Sequence, residues 1–185
     1  MRLVRRDEIM DYVTYEERRN ELRQQAMEAK APRRIHVGPY LTFLFENTGT
    51  IRYQIQEMVR AEKMVRESDI LHELSTYNEL LGGPGELGAT LLIEITDPAE
   101  RKEKLSAWLT LPQHVHARLP DGSRATAVFD ARQIDEGKLS SVHYVKFPLG
   151  GQVPVALVVD LPGAEVEHVL TAQQRAALAA DLGGT

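Results

Sequence analysis

The order in which the hydrophobic period changes along the chain is what most limits its fold. From Thr50 to Leu81 apolar residues recur at helical spacing. Ile51, Ile55, Met58 and Val59 make one stripe, and Ile70, Leu71, Leu74, Tyr77 and Leu81 a second. Gly82-Gly83-Pro84-Gly85 then ends the helical pattern, and Leu87 to Ile95 alternates with period two. Ala89, Leu91, Ile93 and Ile95 share one face of that strand; Thr90, Leu92 and Glu94 share the other. Asp97-Pro98-Ala99-Glu100 supplies an N-cap, a first-turn proline and a capping-box acid for a helix reaching Leu109.

The flanks follow the same logic. Thr14-Tyr15-Glu16-Glu17 has capping-box form and predicts a polar helix to Lys30, stopped by Pro32. Strands are expected at 34–37 and 40–45. A hairpin is expected from 114–119 and 125–129 about Asp121-Gly122. Ser68 is the expected N-cap of the second central helix, Gly82 its left-handed stop, and 134–139 a short helical turn. Strands are read at 142–147, 153–160 and 165–170, and Thr171-Ala172-Gln173-Gln174 opens a final helix ending at Gly183. Strands and helices never alternate as βαβ units. The reading is one α+β domain over 1–185: a largely antiparallel sheet, a central helix pair, and N- and C-terminal helices, with 1–33 packed on it.

The composition permits this. At 185 residues a folded chain removes about 70% of its surface from water. Apolar residues make 43% and charged residues 26%, which are globular proportions. The absence of cysteine excludes disulfides, thiolate metal sites and Cys nucleophiles, and together with a charged, non-apolar N-terminus leads us to expect a cytoplasmic protein. A net charge of −5, with acids interleaved among the arginines of the first segment, does not favour nucleic acid. No apolar run reaches membrane-span length.

Three groups of residues have chemical interest. Tyr53, Glu57 and Arg60 lie away from the apolar stripe of their helix, as do His72, Thr76 and Glu79 on the next. The plain alternative is two solvated faces. If another element or a partner covers them, Glu57, His72, Glu94 and Glu46, with Glu73 beside them, are candidate ligands for iron, manganese or zinc. No Glu-x-x-His repeat is present, which argues against a di-iron bundle. His114 and His116 share a strand face, and with His143 they form an alternative metal set; their plain alternative is an exposed edge strand. The glycine-rich 82–88 segment runs from helix to strand, the reverse of a phosphate loop, and carries Glu86. No nucleophile elbow exists.

Several blocks together resemble a known bacterial family. They are Phe45-Glu46-Asn47, Ile51 through Arg60, Glu73 through Asn78, Pro84-Gly85-Glu86-Leu87, Thr90 through Glu94, Phe129-Asp130, Arg132-Gln133, Asp135-Glu136-Gly137, Tyr144-Val145 and Phe147-Pro148. The chain is similar, over nearly its whole length, to the family called domain of unknown function 3501. The resemblance implies a stand-alone cytosolic protein often encoded beside rubrerythrin-like and iron–sulfur oxidoreductase proteins. It assigns no catalytic residue. The leading expectation is therefore a non-catalytic accessory or interaction protein of a redox, oxidative-stress or metal-handling system. The partner would be an iron–sulfur oxidoreductase or a rubrerythrin-like protein, and a homodimer through the polar first helix is a further candidate assembly. The alternatives are a metal-dependent enzyme with a carboxylate/histidine site, and a small-ligand domain with its pocket between the sheet and the helix pair.

Overall fold

The computed structural model of the chain describes residues 1–130 and 137–183. The fold is α+β, and the expected sheet is divided in two. In the first, β1 (Arg34–Val37), β2 (Leu41–Phe45), β3 (Glu86–Ile93), β7 (Val142–Pro148) and β6 (Val128–Phe129) lie in the order β1-β2-β3-β7-β6. In the second the order is β5-β4-β8-β9, from β4 (Val115–Arg118), β5 (Arg124–Thr126), β8 (Ala156–Val159) and β9 (Val166–Val169). Every described pairing is antiparallel. The expected 114–129 hairpin is thus interrupted. Its β4–β5 half pairs His116 with Thr126, but past Ala127 the chain leaves for the first sheet, where Val128 faces Lys146 and Phe129 faces Val145.

Alternation explains the packing. Phe43, Phe45, Leu91 and Phe147 on one sheet join Val115, Ala117, Leu157 and Val159 on the other in one continuous buried core. Each such side chain contributes roughly 1.5–3 kcal/mol on burial. Five helices surround the sheets: α1 (Tyr12–Lys30), α2 (Thr48–Ala61), α3 (Glu67–Asn78), α4 (Pro98–Ala107) and α5 (Ala172–Gly183). Most of the predicted stripes of α2 and α3 form a second core, in which Ile51, Ile55, Val59 and Ile70 pack with Val4 and Ile9, whereas Leu71, expected in the α3 stripe, is 44% exposed.

Local signals were mostly obeyed. Asp97 accepts the Glu100 amide (2.7 Å), and Thr171 and Gln174 cap α5 reciprocally at 3.2 and 2.8 Å. Three boundaries differ. The α1 cap is Asp11, whose carboxylate takes the Val13 and Thr14 amides (both 3.0 Å) and the Thr14 hydroxyl (2.6 Å), so Thr14 is used upstream and the helix starts a turn earlier. Helix α3 begins at Glu67, and the Ser68 hydroxyl donates instead to Asp69. Gly85, not Gly82, has positive φ (73°). Gly82 and Gly88 serve close approach: a Cβ would lie 2.4 Å from the Glu86 carbonyl oxygen at the first and 1.9 Å from the Leu80 carbonyl oxygen at the second. Of the helical turn predicted at 134–139, residues 134–136 lie outside the described residues, and 137–139 are not helical: the Leu139 amide donates to the Leu105 carbonyl at 2.9 Å. No helix among those described is long and apolar enough to cross a membrane.

Candidate functional site

The outer faces of α2 and α3 are not both solvated, and they do not form one site. Helix α1 covers the face of α2. The Tyr15 hydroxyl donates to Glu57 Oε1 at 2.7 Å, and the Arg19 guanidinium grips both carboxylate oxygens at 2.9 and 3.0 Å. Arg60 pairs with Glu16, and the Lys30 ammonium stands 5.1 Å from the Tyr53 ring centroid. Burial alone would push the Glu57 carboxyl up. The Arg19 and Tyr15 hydrogen bonds and the Arg19 charge outweigh it, so the group lies below the usual carboxylate range. Burial, and then the bond to Glu57, pushes the Tyr15 hydroxyl well above its ordinary value.

The other expected metal ligands are dispersed. Glu46, buried at the end of β2, accepts from the Thr50 hydroxyl (2.6 Å) and the Thr90 hydroxyl (3.1 Å). Glu94 is exposed and accepts from Thr42, to which His36 is joined at 2.8 Å. His72 is exposed on α3. The expected convergence of Glu57, His72, Glu94 and Glu46 does not occur. Each carboxylate answers a donor on its own neighbouring element, and helical spacing says nothing about which elements become neighbours. Among the described residues no three His, Asp or Glu side chains gather in a group that could hold a metal ion.

The histidine alternative divides as well. His114 Nδ1 (2.9 Å) and His116 Nε2 (3.2 Å) both donate to Asp160 Oδ1, while Arg124 holds the other oxygen at 2.9 Å. Hydrogen bonding to His114 first, and also to His116, lowers the Asp160 carboxyl. The Thr126 hydroxyl lies 3.0 Å from His116 Nδ1 and can donate to it, so a neutral His116 is fully satisfied. His114 precedes β4 rather than lying in it, and the partner it shares with His116 is the Asp160 carboxylate. His143 is elsewhere, fully buried on β7 against the Phe129 ring (centroids 5.4 Å apart), with neither ring nitrogen hydrogen-bonded. Burial lowers its imidazole, against a smaller opposing pull from the Ser140 backbone.

What the structure does assemble is an open groove of about 680 Å³ between α3 and strands β6 and β7. His72, Thr76, Glu79 and Leu80 form the helical wall. Asp130, Tyr144 and Lys146 form the strand wall, and Val128, 60% exposed, stands at the rim, while the Phe129 ring turns to the other face against His143. Its volume lies in the range of about 300–1,000 Å³ usual for ligand sites. One aromatic ring, one imidazole, one ammonium and two carboxylates give it both an adhesive surface and charges of both signs. The helical wall was readable from the spacing of His72, Thr76 and Glu79. The strand wall was not singled out, although the alternation of 142–147 puts Tyr144 and Lys146 on one face, opposite His143, Val145 and Phe147. The missing information was the β6–β7 pairing that sets Val128 beside Lys146.

The glycine-rich segment is a tight structural crossing. The Glu86 carboxylate itself takes the Gly83 amide (3.1 Å), so that amide is not presented to an anion.

Comparison with known proteins agrees with this arrangement. No curated protein matches the chain. A crystal structure described as a novel protein of unknown function from Burkholderia pseudomallei K96243 is 28% identical in sequence and superposes with a TM-score of 0.89. The match covers 98% of this chain and 100% of that one. The model of the family "Protein of unknown function (DUF3501)" matches residues 3–182, and the chain belongs to that family.

Proposed function

We propose that the protein acts by binding rather than by catalysis, as a cytoplasmic accessory protein whose α3–β6–β7 groove receives a segment of a partner. The observation that carries this reading is the groove itself. It is open, has the Tyr144 ring and the exposed Val128 side chain on its strand wall, and bears Lys146 and His72 beside Glu79 and Asp130. The better-buried acids support it from the other side: Glu46, Glu57 and Asp181 are each committed to structural donors. By the family resemblance, the partner to test first is an iron–sulfur oxidoreductase or a rubrerythrin-like protein. A homodimer through α1 would have to use the side away from α2, where Val13 and Met27 are exposed.

The test is co-purification of the chain at its natural abundance. A stoichiometric redox partner is expected, lost in Val128→Asp and Lys146→Glu variants that melt like the parent. Recovery without any such partner, or retention of the partner by both variants, refutes the reading. The metal-dependent alternative is checked on the same untagged material by elemental analysis before and after reconstitution. A stoichiometric transition metal would replace the binding reading with the catalytic one.

A further inference from the structure

A second cleft, of about 380 Å³, opens between α1 and α2 and shares no lining residue with the α3–β7 groove. The two helices are held together where Tyr15 and Arg19 meet Glu57 and where Glu16 meets Arg60. Farther along α1 the facing residues are Ala26 and Ala29, opposite Gly49 at the start of α2. These small residues leave a gap there, with Gln25 and Tyr53 also on its walls. Met10, Tyr15 and Leu22 complete apolar walls.

Two of the polar groups that line the cleft beside Glu8, Gln25 and Tyr53 are already used. The Tyr15 hydroxyl is committed to Glu57, and the Gln56 amide bonds the Met10 backbone N–H and C=O, both at 2.9 Å. The interior therefore suits apolar matter. The rim differs. Arg18 and Arg52 are half exposed, and the nearest carboxylate oxygen of each, on Glu21 and Glu8 respectively, stands 3.8 Å away, outside hydrogen-bond range. Glu8 cannot serve Arg52 better. Its oxygens are held by the Arg2 guanidinium (2.7 and 2.9 Å) and the Arg5 amide (2.8 Å), and the Arg2 hydrogen bond first among its causes draws its carboxyl down to about 2. Two guanidiniums with unspent donors thus overlook an apolar cleft, and guanidinium is the side chain best matched to a planar carboxylate.

We propose that this cleft binds a small amphiphile with a carboxylate head, the head on Arg18 and Arg52 and the alkyl chain between the two helices. The site stands apart from the partner-binding reading above, and either survives failure of the other.

Calorimetric titration of the full chain with butanoate, hexanoate, octanoate and octylamine tests it. Octanoate is expected to saturate one site per chain, with affinity rising about tenfold for each two carbons added. Octylamine, of the same length and opposite charge, is expected not to bind. Arg52→Gln, and separately Arg18→Gln, should weaken octanoate about tenfold each without moving the thermal midpoint. Ala29→Leu should abolish binding with both arginines intact. Equal affinity for octanoate and octylamine, affinity independent of chain length, or indifference to both arginine substitutions would overturn the proposal. Absence of saturable octanoate binding would do so as well.

Discussion

Glu57→Ala should be far more costly than a helix-surface substitution. At a solvated position such a change falls within about ±0.5 kcal/mol. Here the carboxylate accepts from Tyr15, which has no exposed surface, and from Arg19 through a two-pronged contact in which the two side chains are 28% and 21% exposed. Removing it leaves the Tyr15 hydroxyl buried without an acceptor, at roughly 1–3 kcal/mol. The partly screened Arg19 pair adds up to about 1 kcal/mol. The expected loss is therefore about 1–4 kcal/mol in urea unfolding at pH 7, read from the midpoint at constant slope. The pH dependence has a definite sign. Because the folded carboxyl sits below its ordinary value, its contribution is complete above the unfolded pKa of about 4.3 and is lost as pH falls through the lower folded value. The gap between parent and Glu57→Ala should narrow on acidification through that window. A Tyr15→Phe, Glu57→Ala cycle should show coupling of at least about 0.5 kcal/mol. A loss within 0.5 kcal/mol at neutral pH, or additive single variants, would mean that α1 is not fastened to α2 through this carboxylate.

Three further outcomes follow from the geometry. Gly88→Ala places a Cβ 1.9 Å from a backbone oxygen and should destabilise by about 3 kcal/mol in the same assay, whereas Gly122→Ala meets no atom within 4 Å but strains a φ of 86° and should cost about 1 kcal/mol. The buried Arg33 guanidinium donates to Asp181 at 2.7 and 2.8 Å and joins the start of β1 to α5, so Arg33→Ala should cost about 3–5 kcal/mol, and adding Asp181→Leu should restore part of it by removing the stranded charge. His143 has its folded pKa depressed by burial, so the unfolded chain takes up its proton first and stability falls as pH drops below about 6.5; His143→Leu should flatten that part of the urea-midpoint profile by up to about 1.4 kcal/mol per pH unit, and an unchanged slope would refute this origin.

Much of the local structure was decided by residues a few positions apart. The alternation of Leu87 to Ile95, the Asp97-Pro98 start of α4, the Thr171–Gln174 cap of α5 and, apart from exposed Leu71, most of the apolar stripes of α2 and α3 reappear, because short-range geometry satisfies them wherever the element is placed. The same signals were ambiguous where two caps competed. Asp11 and Thr14 can each start a helix, and Asp11 prevails by taking two amides and the Thr14 hydroxyl at once. Everything that depends on which elements touch came from the tertiary structure alone. Glu57 meets Tyr15 across 42 residues, Arg33 meets Asp181 across 148, and Val128 reaches the groove rim only because the chain changes sheets after Ala127. A side chain's period along its own helix or strand tells which way it points. Its partner is set by how the apolar faces of distant elements are buried together, and that choice leaves no mark at any single position.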